Sequence, residues 1–459
     1  MRKNLRFTAL FLMSLFSSMG LFAQMDNLTN MSAEWMRTSN RNAALDAADI
    51  VVYNPAGLVK LSPGLHIDIG NQTLIRMPKH TFDLGFGEGK QSFKQDKIDP
   101  ALPNLFASYN KGKWAIFGGI YIPGGGATAD YPDGSLTTAL IAKQMSFSPA
   151  PAPFPEGTLY RDIYPITKDQ SLKASSYYLA FSLGGAYAIN DMFSVSLAGR
   201  YLTCKNTTKA GMTLSGSDFL PDQPLKISTE DNADGFGGII GLNIKPDEKW
   251  NIGLHYETAV KLDFKTKVKK DDLGEFTDGA KNRRDLASNL NFGASYKITK
   301  KLTAEADYSY YFQKAANWGT SGVLKSNIDS TYKKWSDMAG NCYTAGAALL
   351  YDVNDKLVVS CGTVFTKFLY KDKEGYFTAL GAYEAPKNDN WNFSIGGAYK
   401  VINMLKVNIA LGYCVSGNET VKSLDAEALK NATQNPATDP NIKIENKAIF
   451  IAVGLDFSL

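Results

Sequence analysis

The sequence predicts an all-β protein: a 14-stranded antiparallel transmembrane β-barrel with an N-terminal hatch folded as a plug in its lumen. Three observations carry that expectation. Along most of the chain apolar residues alternate with small or polar ones, the period of two that marks a strand with one greasy and one wet face. Tight turns and long polar segments follow one another in strict alternation, as in a barrel with short turns on one side of a membrane and long loops on the other. Ahead of the first strand, AADIVVYNPAGLVKLSPG (47–64) is too apolar for a linker and too interrupted by Pro and Gly for a helix or strand, which suits a compact plug.

The chain begins MRKNLRFTALFLMSLFSSMGLFAQ. Arg2, Lys3 and Arg6 form a basic start, an apolar run follows, and Ala23 offers a small residue for cleavage, so residues 1–23 read as a secretory signal peptide. Gln24, not a cysteine, stands immediately after that point, which argues against a lipid anchor. The hatch, residues 24–63, holds Ala43, Ala44, Asp46, Ala47 and Ala48, then Asn54-Pro55-Ala56-Gly57-Leu58. Small residues let short helical turns pack closely, and Asn-Pro with Gly turns the chain between them.

Residues 64–459 supply the barrel. Strands are predicted at 64–77, 102–111, 113–131, 174–190, 192–215, 233–246 and 248–269, then at 285–299, 301–316, 341–354, 356–370, 389–402, 404–421 and 443–459. Tyr177, Leu179, Phe181 and Leu183, for instance, alternate with Tyr178, Ala180, Ser182 and Gly184. Short turns fall near Gly112, Asn190, Asp247, Lys300, Asp355 and Asn403; the long segments are 78–101, 132–173, 216–232, 270–284, 317–340, 371–388 and 422–442. An even strand number closes a bacterial barrel, and with the first strand running outward both termini lie in the periplasm. The last strand is alternately apolar to its final residue, Leu459. In water such an edge would aggregate, whereas in a membrane it faces lipid. A soluble sandwich would instead show strands of about five or six residues.

Composition agrees with this. The 459 residues include 40 Gly, 23 Tyr and 25 Phe but three His, and no apolar run is long enough for a membrane-spanning helix. The net charge of +4 points to no charged partner, and Lys and Arg form no basic stripe for nucleic acid. Cys204, Cys342, Cys361 and Cys414 are far apart, without metal-type spacing; parity turns Cys361 to lipid and the others to the lumen, as packed thiols.

The order of signal peptide, Ala-rich segment, "NPAGL" and fourteen strands resembles the outer-membrane long-chain fatty-acid transporters, the FadL family with its aromatic-hydrocarbon relatives. "GGAYAINDMFSVSLAGRYL" (184–202), "WNIGLHYETAVKLDFK" (250–265) and "NWNFSIGGAYKV" (390–401) are similar to that family's barrel hairpins. The resemblance implies a location in the Gram-negative outer membrane and a hatch to which Asn54, Pro55, Ala56 and Gly57 belong. It implies also an inward kink in the third strand that opens the wall. Pro123, Gly124, Gly125 and Gly126 stand there, and Pro removes a ladder donor while Gly permits non-β dihedrals.

Passive uptake of long-chain fatty acids or similar hydrophobic molecules would require three things of this scaffold. A greasy capture site is expected in the 132–173 loop, with Leu140, Phe147 and Phe154 among its apolar residues. A cation for the carboxylate is expected in the lumen, where parity puts Arg200. The resemblance adds Lys205, although strict alternation turns Lys205 outward beside Tyr201 unless a bulge intervenes. Release would be gated by the hatch and the kinked strand, with no nucleotide motor, since Gly124-Gly125-Gly126 lacks a following Lys-Ser/Thr. No cofactor, metal or catalytic residue is expected: the three His are scattered and no GxSxG elbow is present. The expected partners are the hydrophobic ligand, outer-membrane lipid and, during biogenesis, the barrel-insertion machinery, with the chain a monomer. The alternative reading is an adhesin-like surface protein or a general porin. A porin, however, has little chain before its first strand.

Overall fold

The computed structural model describes residues 27–459 apart from 96, 151, 217–219, 320–331 and 380; the predicted signal peptide lies outside the described residues. Along the chain, β1 (Gly64–Arg76) leads through the short β2 (Lys79–Asp83) and β3 (Gln91–Lys94) into β4 (Lys97–Asn110) and β5 (Trp114–Tyr131). Three long strands follow, β6 (Ile166–Ala188), β7 (Phe193–Ser215) and β8 (Gln223–Ile244). Next come β9 (Trp250–Glu257), β10 (Asp263–Asp271), β11 (Lys281–Arg283), β12 (Asn289–Lys297) and β13 (Leu302–Tyr311). The last part holds β14 (Asn341–Asn354), β15 (Leu357–Leu369), β16 (Asn390–Ile402) and β17 (Leu405–Ser416), then β18 (Glu419–Lys422), β19 (Asp439–Glu445) and β20 (Lys447–Ser458).

Of these, β1, β4 to β9, β12 to β17 and β20 pair antiparallel in a closed ring of 14 strands, β20 returning to β1. The outer face is apolar at membrane height. Leu183, Leu197, Phe236, Ile240, Ile395, Ile409 and Val453 all stand exposed there, as lipid contact demands. Trp114, Tyr187, Trp250, Tyr351 and Tyr399 ring the end with the short turns, and Tyr177, Tyr256, Tyr308, Trp391 and Tyr413 stand higher on the same face. These are the aromatic girdles of a barrel at its two interfaces. Cys361 is exposed on this outer face, while Cys204 and Cys342 are buried and Cys414 is half-buried.

Several predicted elements differ from the observed ones. The strand expected at 248–269 is two: the chain leaves the wall after Glu257, runs inward so that Val260 and Leu262 are fully buried, and returns as β10 on the outer half of β8. Gly235 and Gly237 of β8 make room for this; a Cβ on Gly235 would collide with the Lys261 carbonyl and Val260. The strands expected at 404–421 and 443–459 also divide. Their outer pieces, β18 and β19, join β2 and β3 in a separate four-stranded sheet. Across the second junction alternation keeps one parity, with Ile442, Ile444, Ala448 and Ala452 all buried, so period alone could not place that break, whereas Gly417 and Asn418 interrupt it at the first.

That second sheet is the base of an extracellular cap. Segments read as polar loops carry helix α1 at Leu136–Ser146 and further helices at Trp335–Ala339, Lys373–Ala379 and Leu424–Thr433. They share a core of their own that includes Phe82, Leu136, Leu140, Tyr376, Phe377 and Ile442. Burying each side chain of this size stabilises the cap by about 1.5–3 kcal/mol. Strands β6 to β8 project past the membrane beside it. Their outer face there turns charged, with Lys205, Lys209 and Glu230 exposed or ion-paired.

Candidate functional site: hatch, window and cavity

The hatch carries a short helix at Ala33–Thr38, capped by Ser32, whose Oγ accepts the Trp35 N–H at 2.9 Å and donates to Asp49 Oδ2 at 2.8 Å. Arg41 clamps Asp49 through Nη2 (2.5 Å) and Asp46 through Nη1 (2.6 Å), and Arg37 reaches Asp46 at 3.3 Å. Hatch residues 33–43 then follow the inner wall across successive strands, and the wall makes room with glycine. A Cβ on Gly412 would press on Met36, on Gly362 it would collide with the Thr38 carbonyl, on Gly346 with Asn40, and on Gly253 with the Asn42 carbonyl. Gly362 and Gly253 admit a second backbone, and Gly412 and Gly346 the side chains of Met36 and Asn40.

The Asn54–Leu58 element docks on the adjoining wall, formed by β7, β8 and β9. Asn54 Nδ2 donates to Asn243 Oδ1 (2.7 Å) and to the Ala44 carbonyl (3.2 Å); Asn251 Nδ2 bonds Asn243 and the Ala43 carbonyl; Ser194 Oγ donates to the Ala56 carbonyl at 2.7 Å. Pro55 opens a short 3₁₀ turn, Pro55–Lys60, whose first position needs no N–H donor. The hatch therefore fills the lumen at mid-height.

Above it the wall is open on one side. β4 and β5 pair only from Leu105–Asn110 to Ala115–Ile120. Beyond Ile120, β5 follows β6 instead, and its register there slips twice, between Tyr121 and Gly124 and between Gly125 and Ala127. Each slip is one extra residue, a β-bulge that bends the strand. Pro123 and Gly124 thus face inward at the bend. The Pro123 carbonyl accepts the Leu28 N–H at 2.8 Å, and Asn27 bridges Gly124, so the described start of the hatch lies along the kink. The window between β4 residues 101–104 and β5 residues 121–127 is closed again at its upper rim. There Asp99 Oδ2 accepts from Arg76 Nη2 (3.2 Å) and from the Thr128 N–H (3.3 Å), and Asp130 pairs with Lys97 at 3.1 Å. Sequence reasoning singled out the β5 half of this window and missed the β4 half, although Pro100 and Pro103 in β4 were a signal of a strand with a free edge.

Inside the window Leu74, Leu102 and Ile122 pack with Leu28, Leu179 and Phe450. Leu102, Gly125 and Phe450 also line a cavity of about 220 Å³ that lies between the hatch and the cap and is bounded by Trp35, Val364 and Phe368. Arg76 and Lys387 bring cationic groups to its wall, and Cys342 and Cys414 thiols. A smaller cavity of about 40 Å³ continues beside Pro123, Tyr53, His255 and Glu257. The large cavity thus reaches the wall at the window, with a lining that mixes apolar side chains such as Leu74, Leu102 and Phe450 with amides such as Asn30, Asn390 and Asn392.

The predicted ligand residues are scattered relative to this cavity. Arg200 faces the lumen but is fully buried, with Nη1 2.5 Å from Glu257 Oε2, and does not line the large cavity. Lys205 lies outside: β7 pairs with β8 without a slip from Phe193 to Leu214, so alternation holds and Lys205 bonds Glu230 at 3.1 Å on the outer face. Leu140 is buried in the cap core instead of presented for capture. Phe147 is half-buried, packed on Phe86 and under the Arg161 guanidinium; Phe154 is also half-buried. In the cap, burial holds the His80 imidazole well below its ordinary range, at about 3, with Nε2 accepting the Leu136 N–H at 2.9 Å.

Comparison with known proteins decides the family. A profile described as "Outer membrane protein transport protein (OMPP1/FadL/TodX)" matches residues 132–458, well over half of the chain. The chain belongs to this family. Its place is the Gram-negative outer membrane, among transporters of hydrophobic compounds. A FadL homologue from Pseudomonas aeruginosa shares the fold at a TM-score of 0.63 and 11% identity, over 94% of this chain and 99% of that one. The P. putida toluene transporter TodX follows at 0.61 and 11%, over 95% and 99%. The Ralstonia pickettii toluene transporter TbuX gives 0.52 and 16%, over 90% and 95%. No curated protein matches the chain by sequence.

Proposed function

We propose that the protein carries long-chain fatty acids or similar hydrophobic molecules passively across the outer membrane: captured by the cap, held in the cavity above the hatch, and released sideways through the window between β4 and β5. The observation that carries this reading is the continuity of the apolar cluster at the window with the cavity, through Leu28, Leu74, Leu102 and Phe450. Burying a fatty tail there gains about 0.8 kcal/mol per methylene. Lys387 and Arg76 line the cavity and give it positive groups, Arg76 while also pairing with Asp99, whereas Arg200 lies away from the cavity against Glu257. Phe147 and Phe154, partly exposed on the cap, are the capture surface in this reading, with Leu140 supporting it from beneath.

The test is binding of a fluorescent long-chain fatty acid to the folded, detergent-purified protein, repeated on Lys387→Ala and Arg200→Ala and in competition with toluene. Binding weakened about tenfold in Lys387→Ala, and little in Arg200→Ala, supports a carboxylate ligand in the cavity. Displacement by toluene without sensitivity to Lys387 assigns a neutral hydrocarbon instead. Absence of both kinds of binding defeats the transport reading.

A further inference from the structure

A second built site lies below the hatch, where the barrel closes on itself. Four neighbouring strands, β4, β1, β20 and β17, carry two inward rows in register. The upper row is Asn104, Gly70, Gly454 and Asn408; the lower is Phe106, Asp68, Asp456 and Lys406. Gly454 leaves a hollow in the wall, and the hatch lowers Glu34 into it: a Cβ there would lie 3.0 Å from Glu34 Oε1, while the Asn104 amide fills the space over Gly70. Donor oxygens of Glu34, Asp68 and Asp456 lie within 4.8 Å of one another, and all three side chains are buried.

Very little in the protein answers this negative charge. Lys406 Nζ (2.8 Å) and Asn408 Nδ2 (2.9 Å) both bond a single oxygen, Asp456 Oδ2. No N–H or hydroxyl donor of the protein reaches either oxygen of Glu34, either of Asp68 or Oδ1 of Asp456; Asp68 and Asp456 meet only each other, a contact that needs a proton or a cation between them. Outside the acidic cluster itself, Asn408 Oδ1 is also fully buried and unpartnered, on an amide anchored to Asp456. The hatch arginines are committed elsewhere, Arg37 to Asp46 and Arg41 to Asp46 and Asp49. Three carboxylates against one ammonium leave an excess of two negative charges, and six oxygens wait for partners.

Shared protons would serve that arrangement poorly, because two protons supply two donors for six acceptors. A hard divalent cation supplies the missing charge and takes six to eight oxygens from carboxylates and amide carbonyls. It also has a way in. A cavity of about 220 Å³ at the mouth with the short turns is lined by Asp46, His66, Lys406 and Asp456.

We propose that Glu34, Asp68, Asp456 and the Asn408 side-chain oxygen bind a divalent cation of the calcium type, entering from the periplasm and tying the hatch helix to the two strands that close the barrel. The proposal does not depend on which ligand is transported. It is tested on the mature, folded protein in detergent after treatment with a chelator. Calcium is titrated by calorimetry and terbium by its luminescence, and thermal unfolding is followed with and without calcium. The expected result is one saturable equivalent, terbium displaced by calcium, and an unfolding temperature that drops on stripping and recovers with calcium. Affinity falls at least about tenfold in Glu34→Gln, and in Asp68→Asn should the first variant not fold. Wild-type protein whose unfolding ignores calcium, or binding equal in wild type and the folded variants, overturns the proposal. Stability that follows pH but not calcium assigns the cluster to shared protons and overturns it equally.

Discussion

Two seams of the same wall behave oppositely. The seam between β1 and β20 joins strands from the two ends of the chain, yet it is paired without a slip from His66 to Arg76 and sealed by reciprocal bonds between Leu65 and Leu459. The seam between β4 and β5 joins strands separated by a three-residue turn, and it is paired over six residues and then opens. Sequence distance would favour the reverse, because the local hairpin has the lower cost of loop closure. The opening is therefore written into the strands themselves: Pro103 on one edge, Pro123 on the other, and two inserted residues in β5. A wall that pays nothing for proximity at one seam and closes fully at the other is built to open in one place.

The strongest way to break the contrast is to remove the inserted residues. Deleting Pro123 and Gly126 together leaves Tyr121 to Ala127 with one residue for each of Ala180 to Ser176, so β5 pairs continuously with β6 and swings back toward β4. Uptake of a hydrophobic tracer into cells is expected to fall more than about tenfold, the cost of a lost near-obligatory exit, while the barrel still migrates as a folded band in an unheated gel. Undiminished uptake would remove the window from the transport route.

A smaller effect is expected at the upper rim. Asp99→Ala removes the acceptor for both Arg76 and the Thr128 N–H and leaves a partly buried guanidinium short of a partner, a loss of about 2–3 kcal/mol. The unfolding temperature should drop, and tracer uptake should rise or hold steady. An unchanged unfolding temperature would mean that the rim bonds do not hold the seam.

Smaller still is a pH effect on the roof above the open seam. His80 resists protonation down to about 3 in the folded cap, whereas an unfolded cap binds that proton near the ordinary 6.5. Between those values the unfolded state holds more protons, so cap stability falls as pH drops, by at most about 1.4 kcal/mol per pH unit. Protease clipping of the cap on intact vesicles should quicken from pH 7 to pH 5, and less so in His80→Gln, which keeps an acceptor for the Leu136 N–H. Equal pH profiles would move the sensitivity to another group. The smallest effect is expected at a seam without slips: Lys205→Ala, which loses one exposed ion pair with Glu230, should alter ligand affinity by less than about twofold.

How far the sequence could be read follows from what each pattern encodes. Alternation located the barrel because it reports which faces are wet, and the short turns ordered the strands. It could not separate β19 from the barrel strand it leads into, since a cap sheet buries alternate residues just as the wall does. Nor could it see the turn-in at residues 258–262, which depends on Gly235 and Gly237 of a different strand. At the site, Pro123 to Gly126 stood out because Pro and Gly are local signals. The choice of Arg200 and Lys205 fared differently: Lys205 obeys its parity and faces out, and Arg200 is matched by Glu257, a partner 57 residues away that no local pattern announces.

The glycine path for the hatch has a consequence for biogenesis. Met36 rests on β17, Thr38 on β15, Asn40 on β14 and Asn42 on β9, so the plug is threaded past the strands in the reverse of their order of synthesis. Ser39 bonds Ser394, 355 residues downstream, and the Arg37 carbonyl accepts from Ser360. The hatch, made before the barrel strands, thus finds its seat only when nearly the last of them has arrived. Contacts of such separation form late. The plug is then a record of completed assembly: a barrel truncated before β14 has a wall without most of the grooves that receive it, and its leading segment is left for the periplasm's proteases.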